Sequence, residues 1–293
     1  MENKGLTLSI IFEAQSANYG EGFGNITQLK KLSRGDGNSY SYISRQAIRY
    51  NIIQQLKADN TPVNNDDKVV QFDKKAQIDK YPEIDLFGYM KTGKNSTNNS
   101  ANVRSAVVRL SNAISLENYN SDIDFLTNMG LAKRKEGLEN AIAQSEIHKS
   151  YYAYTITIDL DRVGVDENDK IDLQKTNKKE CAKRVKDFLN VLKTLYRDIK
   201  GRRENLSPIF AIGGVYKIKN PFFENRLCVS KNILDINTIN QTLNIDDEVK
   251  NNTFIGYIGS MFSNSEDIQN ELKPKTIAEL FDILLKKVDE YYA

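Results

Sequence analysis

Histidine is nearly missing from this chain: His148 is the one imidazole in 293 residues. A multi-histidine metal centre is therefore excluded, and little material is left for a histidine-based triad. His148 itself reads as a packed or hydrogen-bonded residue. Cysteine is almost as scarce. Cys181 and Cys228 stand alone, with no metal-ligand spacing around them, and read as reduced structural thiols of a cytoplasmic protein. No apolar run approaches the length that crosses a bilayer, so no membrane contact is expected. The opening MENKGLTLSIIF has one lysine and a short apolar run that alternates with polar groups, the pattern of a strand and not of a signal peptide. Net charge is also small, with 41 basic residues against 39 acidic. What remains is a globular protein of ordinary composition, long enough for one elaborated domain or two, with no cofactor or resident metal expected.

The charge is unevenly placed. Between Gln28 and Arg49 lie five basic residues (Lys30, Lys31, Arg34, Arg45 and Arg49) and one acid, Asp36, which leaves the rest of the chain slightly acidic. Just before them the loop YGEGFGN carries Gly20, Gly22 and Gly24, which let backbone amides approach a phosphate. A dinucleotide site fits poorly, because no strand-to-helix junction of the right length surrounds the glycines; a bare turn fits as well as a phosphate cradle. A basic strip beside exposed amides and tyrosines suits single-stranded nucleic acid, a polyanion with faces to stack on.

Periodicity gives the element order. Leu6, Leu8, Ile10, Phe12 and Ala14 alternate with polar residues, which predicts a half-buried strand from Leu6 to Gln15. A helix is predicted from Tyr40 to Lys57, with Ile43, Ala47 and Tyr50 on its apolar stripe and Tyr42, Arg45 and Arg49 on a basic one. From Ala58 to Asn102 the chain is polar and rich in asparagine, an insertion interrupted by a short strand in EIDLFGYM. RSAVVRL, Arg104 to Leu110, reads as a strand. Glu117 to Ser150 has no steady period, and a long excursion of that kind is usually functional or disordered. YTITIDL, from Tyr154, is the strongest strand. Lys178 to Lys200 is the strongest helix, its stripe built from Cys181, Val185, Phe188, Leu189, Leu192 and Leu195 and its end marked by Gly201. Strands at Ser207 to Tyr216 and Thr253 to Ile258 and a helix at Lys275 to Tyr292 complete an α+β chain. The order is that of a ferredoxin-like sheet with insertions, the scaffold of the RNA recognition motif (RRM).

Several groups have both a functional and a plain reading. Tyr42 and Tyr40 suit base stacking, although one of them should fill the core. Asp36, flanked by glycines, is a turn residue first and a metal ligand or general base second. Asp159 and Asp161 form a carboxylate pair with no second cluster to complete a metal site. Lys133, Arg134 and Lys135, with Phe125, Leu126 and Met129 before them, form either a wedge between nucleotides or a surface helix. Gly213 and Gly214 mark either a close approach of a ligand or neighbouring subunit, or a bulge.

The segment IIFEAQSANYGEGFGNITQLKKLSRGDGNSYSYISRQAIRY strongly resembles the N-terminus of the backbone subunit of type I-B CRISPR effector complexes, the DevR-like branch of the Cas-seven group. YYAYTITIDLDRVG, FAIGGVY and NPFFENR fit the same family. The resemblance implies a single RRM-like palm over residues 1–293, with a finger-like insertion at 58–103 and a thumb-like one at 117–150. It implies copies stacked head to tail along one guide RNA, presenting it to a target DNA strand beside other Cascade subunits. By position, Lys30, Lys31, Arg34, Tyr42, Ser44, Arg45, Gln46 and Arg49 fall where the family holds the guide. Lys133 and Arg134 fall in the thumb, whose base-displacing group is sought among Phe125, Leu126 and Met129. No catalysis is implied. The sharpest alternative comes from type III relatives, which cut target RNA with an aspartate in the loop after the first strand; Asp36 lies in a comparable loop. A DNA-binding regulator is a second alternative, although the sequence shows no helix-turn-helix pair and no dimerisation heptads.

Overall fold

Alternation along the first strand decides how the sheet is built. In the computed structural model the described residues are 2–20, 22, 24, 26–65, 70–91 and 102–293. Among them β1 (Gly5–Ala14), β2 (Lys31–Ser33), β3 (Ser39–Ile43), β4 (Val108–Leu110), β5 (Ala113–Ser115), β6 (Ser150–Asp159), β7 (Phe210–Tyr216) and β8 (Thr253–Tyr257) form one antiparallel sheet. The order across it is β8–β7–β1–β6–β5–β3–β2, with β4 also on β6. Three long helices accompany it: α1 (Arg45–Leu56), α2 (Lys178–Lys193) and α3 (Ile277–Tyr292). Strands β7, β1, β6 and β5 lie fourth, first, third and second, as the expected ferredoxin-like order requires.

Leu6, Leu8, Ile10 and Phe12 stand opposite Ile158, Ile156, Tyr154 and Tyr152 of β6. These two columns share a face, and α1, α2 and α3 close over it with Ile48, Ile52, Phe188, Leu189 and Leu284. Each such side chain contributes about 1.5–3 kcal/mol by leaving water. The strand is buried on both faces, not half-buried. Ile11 belongs to a second core with Phe210, Ile212 and Ile255, covered by Phe223, Leu227, Leu234 and Ile239. The C-terminal part of the chain thus roofs one end of the face that an RRM leaves open.

Other boundaries differ from the periodicity. Tyr40 to Ile43 is strand, because Tyr42 and Ile43 pair with Ile114 and Ala113 of β5. The helix begins only after Ser44, whose hydroxyl accepts the Ala47 amide at 3.3 Å. Its buried stripe is Ile48, Ile52 and Ile53, while Tyr50 is 62% exposed. EIDLFGYM holds a short helix, Pro82–Phe87, with proline in its first turn, and only then the strand Tyr89–Lys91. RSAVVRL breaks in two: Arg104 ends a strand, Asn102–Arg104, that pairs with Tyr89–Lys91, and Val108 restarts in the main sheet. Helix α2 stops at Lys193; Gly201, at φ +76°, serves instead the turn between the strands Tyr196–Ile199 and Arg202–Asn205. The asparagine-rich stretch 92–101 lies outside the described residues.

Asp85, on the short helix, is fully buried between Arg104 at 2.9 Å and Arg184 of α2 at 2.8 Å, and accepts the Gly164 amide. Two guanidiniums on one carboxylate tie the short helix to α2 and to the strand Asn102–Arg104. No helix among the described residues is long and apolar enough to cross a membrane.

Candidate nucleic-acid interface

The turn between β2 and β3 is held from within. Arg34 donates its amide to the Asn38 carbonyl at 3.0 Å, and Gly37 adopts φ +80°. The Asp36 carboxylate accepts the Asn38 amide at 3.0 Å and the Tyr40 hydroxyl at 2.7 Å. Those two donors hold its carboxyl below the usual range. The Arg34 guanidinium lies 4.1 Å from the centre of the Tyr40 ring. Tyr40 is therefore the tyrosine that fills space, and Tyr42 is half-buried on the next strand position but one.

One strand later the chain turns into α1. Ser44 caps that helix, and the Arg45 amide donates to Asn112 Oδ1 at 2.9 Å. The Arg45 side chain is exposed and has no acidic partner among the described residues. Arg34 and Arg45 both border an open groove of about 640 Å³. Its floor is the sheet face turned away from the helices, at Ala153 and Thr155 of β6 and Ser111 beside β4. Its far wall is the loop from Phe223 to Cys228. The floor is internally satisfied: Thr155 pairs its hydroxyl with Ser9 at 2.7 Å and gives its amide to Ser111 Oγ at 2.9 Å. A satisfied floor keeps its shape while a ligand comes and goes.

The remaining basic candidates do not share that groove. The Lys31 ammonium sits between both oxygens of Glu146, at 2.9 and 2.8 Å, and 4.4 Å over the Tyr119 ring. Arg49 lies over Phe87 at 4.9 Å and reaches Glu83 at 4.0 Å. The expected single stripe of Tyr42, Arg45 and Arg49 is thus split, since Tyr42 is on a strand, Arg45 borders the groove and Arg49 packs on Phe87. Gln46 is exposed in the first turn of α1. Lys30 is half-buried at an edge where its carbonyl accepts the Tyr42 amide at 3.0 Å.

The excursion after Glu117 is a projecting hairpin. Asp122–Thr127 pairs antiparallel with Ile142–Ile147, and the short strand Ile26–Thr27 lies parallel to the latter at the base. Phe125 and Leu126 are 64% and 68% exposed, and Met129 opens a single helical turn, Met129–Ala132, at the tip. Lys133 and Arg134 follow, exposed and without acidic partners among the described residues. Of the expected surface helix only this one turn forms, with Lys133 and Arg134 at its end, while Phe125 and Leu126 lie on the strand before it. The five thumb candidates share one element, apart from the groove.

Other groups resolve into structural roles. Asp159 meets Arg109 at 2.8 Å, Arg162 at 3.3 Å and Lys219 at 3.8 Å, and Lys219 also pairs with Asp161. Burial opposes ionisation of Asp159; Arg109 and the two further cations outweigh it and hold the carboxyl below its usual value. Among the described residues no group of three or more His, Cys, Asp or Glu is placed to hold a metal. His148 is buried, with Nδ1 2.7 Å from Ser41 Oγ and its ring edge-on to Tyr119. Gly213 and Gly214 answer to the chain's own backbone: a methyl on either would overlap the carbonyl oxygen of Thr7 or of Asn252. Three features of the site escaped the sequence: Asn112, Glu146 and the Phe223–Cys228 wall. Only the last had a signal, its NPFFENR segment.

Comparison with known proteins adds the following. The family model described as "CRISPR-associated negative auto-regulator DevR/Csa2" matches residues 6–229. A chain of a solved "CRISPR RNA-guided surveillance complex, pre-nicking" superposes with a TM-score of 0.64 at 11% identity, covering 97% of this chain and 100% of that one. A chain of a second "CRISPR RNA-guided surveillance complex" gives 0.57 at 14% identity, covering 97% and 99%. No curated protein matches.

Proposed function

This chain belongs to the CRISPR-associated DevR/Csa2 family, and we propose that it is the guide-RNA-binding backbone subunit of a type I-B surveillance complex, Cascade. Copies stack head to tail along one CRISPR RNA in the cytoplasm and, with the other subunits, present it to a target DNA strand. The type I-B assignment rests on the N-terminal sequence block. The reading of the site rests on one observation: Arg34 and Arg45, two guanidiniums without acidic partners among the described residues, border one groove on the sheet. A subunit that accepts any guide must hold backbone and shape and ignore base edges, which such cations do. The exposed hairpin with Phe125, Leu126 and Met129 is the element that reaches the next copy and displaces a base. A head-to-tail contact of this kind joins two different surfaces and extends without closing.

On this reading the subunit is not an enzyme. Asp36 spends its two oxygens on Asn38 and Tyr40, which supports the turn role over that of a general base.

The test is binding of purified protein to single-stranded RNA of guide length, with a salt titration and a duplex DNA control. Arg34→Ala and Arg45→Ala should each weaken RNA binding and lower the salt slope by ~0.7. Arg49→Ala should leave both nearly unchanged and lower thermal stability instead. RNA binding that ignores Arg34 and Arg45 would overturn the site. Tighter binding to duplex DNA than to RNA would favour the regulator, and metal-dependent RNA cleavage lost in Asp36→Asn would favour the nuclease.

A further inference from the structure

Lys31 was a natural guide-contact candidate by sequence, yet its ammonium is already engaged. Glu146 is buried in the strand Ile142–Ile147, and it takes three hydrogen bonds from the palm. Lys31 gives two, and the Leu29 amide a third at 2.8 Å. Leu29 is itself a core residue. Lys31 pairs with Ser41 in the sheet, so the carboxylate joins the root of the projecting hairpin to the edge of the palm. Tyr119 lies beneath the ammonium at 4.4 Å and shields the pair.

We infer that Lys31 and Glu146 form a latch that sets the hairpin's angle, so that both act on RNA binding as positioning residues and not as phosphate ligands. The inference rests on the guide-RNA reading above. Six residues of strand reach ~20 Å, so a tilt of ~10° at the root moves the tip by ~3 Å. That displacement takes Met129, at the tip, out of reach of a given nucleotide step, and moves Phe125 and Leu126, lower on the strand, by ~2 Å. Positioning through a supporting pair is the usual reason that a contactless residue matters at a binding site.

Charge gives the test its sign. Glu146→Gln keeps an acceptor for the Leu29 amide and removes a negative charge, so on charge alone it should tighten RNA binding. The latch requires the opposite. Glu146→Gln and Lys31→Gln should each weaken RNA binding by ~5- to 150-fold, the ordinary range of coupling between sites. The salt slope should stay unchanged, and the double variant should be no worse than either single one. Amide exchange over 142–147 in the RNA-free protein should quicken in both. The inference falls if Lys31→Gln lowers the salt slope by ~0.7 while Glu146→Gln binds as well or better, because Lys31 is then a phosphate ligand. If the unaltered protein binds no RNA, the guide-RNA reading fails by itself. Exchange then decides the latch: unchanged protection over 142–147 in both variants overturns it.

Discussion

His148 offers the clearest single-residue measurement, because no other imidazole competes with it. Its ring is buried beside Ser41, Tyr119 and Tyr152, and burial lowers its pKa from the ordinary 6.5. The unfolded chain therefore takes up this proton at a higher pH than the folded one. The associated stability is complete above about pH 6.5 and declines as pH falls from there toward the lower folded value. Thermal unfolding followed from pH 7.5 to pH 5 should show Tm dropping over that window, and His148→Gln should flatten the drop. Carboxylates such as Asp159, whose pKa values lie below the usual range, act only at lower pH. Individual residues were the least legible part of the sequence. Lys31 and Arg34 look alike in KKLSRGDG, and what separates them is Glu146, which stands 115 positions from Lys31. No local pattern carries that information.

Elements were legible wherever one side of them meets a core. Alternation found β1, β6 and β7, and the 3.6-residue stripe found α2 and α3. Their positions in the sheet followed from the order of strands and helices. It failed where two signals overlapped: SYSYI alternates like a strand and also leads directly into a helix, so the boundary at Ser44 was misplaced. It failed completely for the hairpin. Asp122–Thr127 is exposed at all six positions, and without an inside and an outside no period is written into it. The same exposure makes a prediction. Replacing the tip, Asn128–Ala141, with a two-residue turn removes little buried surface and should shift Tm by no more than about 2 °C. Assembly on RNA should be lost nonetheless, as native gel or mass photometry would show. A large loss of stability would mean that the hairpin belongs to the core.

At the scale of the whole molecule, the palm presents a groove on one side of the sheet and a reaching hairpin beyond its edge. If the two belong to successive copies, binding cannot be a one-to-one event. The number of subunits held should rise in equal steps as the RNA is lengthened, and half-saturation should fall with length through contacts between neighbours. Sedimentation of the protein with RNAs of graded length would show this. One subunit on every length would remove the head-to-tail arrangement while leaving the groove intact.

The central place of β1 also has a consequence in time. Its neighbours are β6 and β7, so Gly5 pairs with Asp159 on one side and Tyr216 on the other. At ordinary translation rates of ~5–20 residues per second, roughly 10–40 s separate the synthesis of β1 from that of β7. Until β6 is made, Leu6, Leu8, Ile10, Ile11 and Phe12 are an apolar ribbon with two open edges, and until β7 follows one of those edges stays open. The nascent chain is most exposed to misassembly at β1, and the strand that organises the finished fold is the one that waits longest for it.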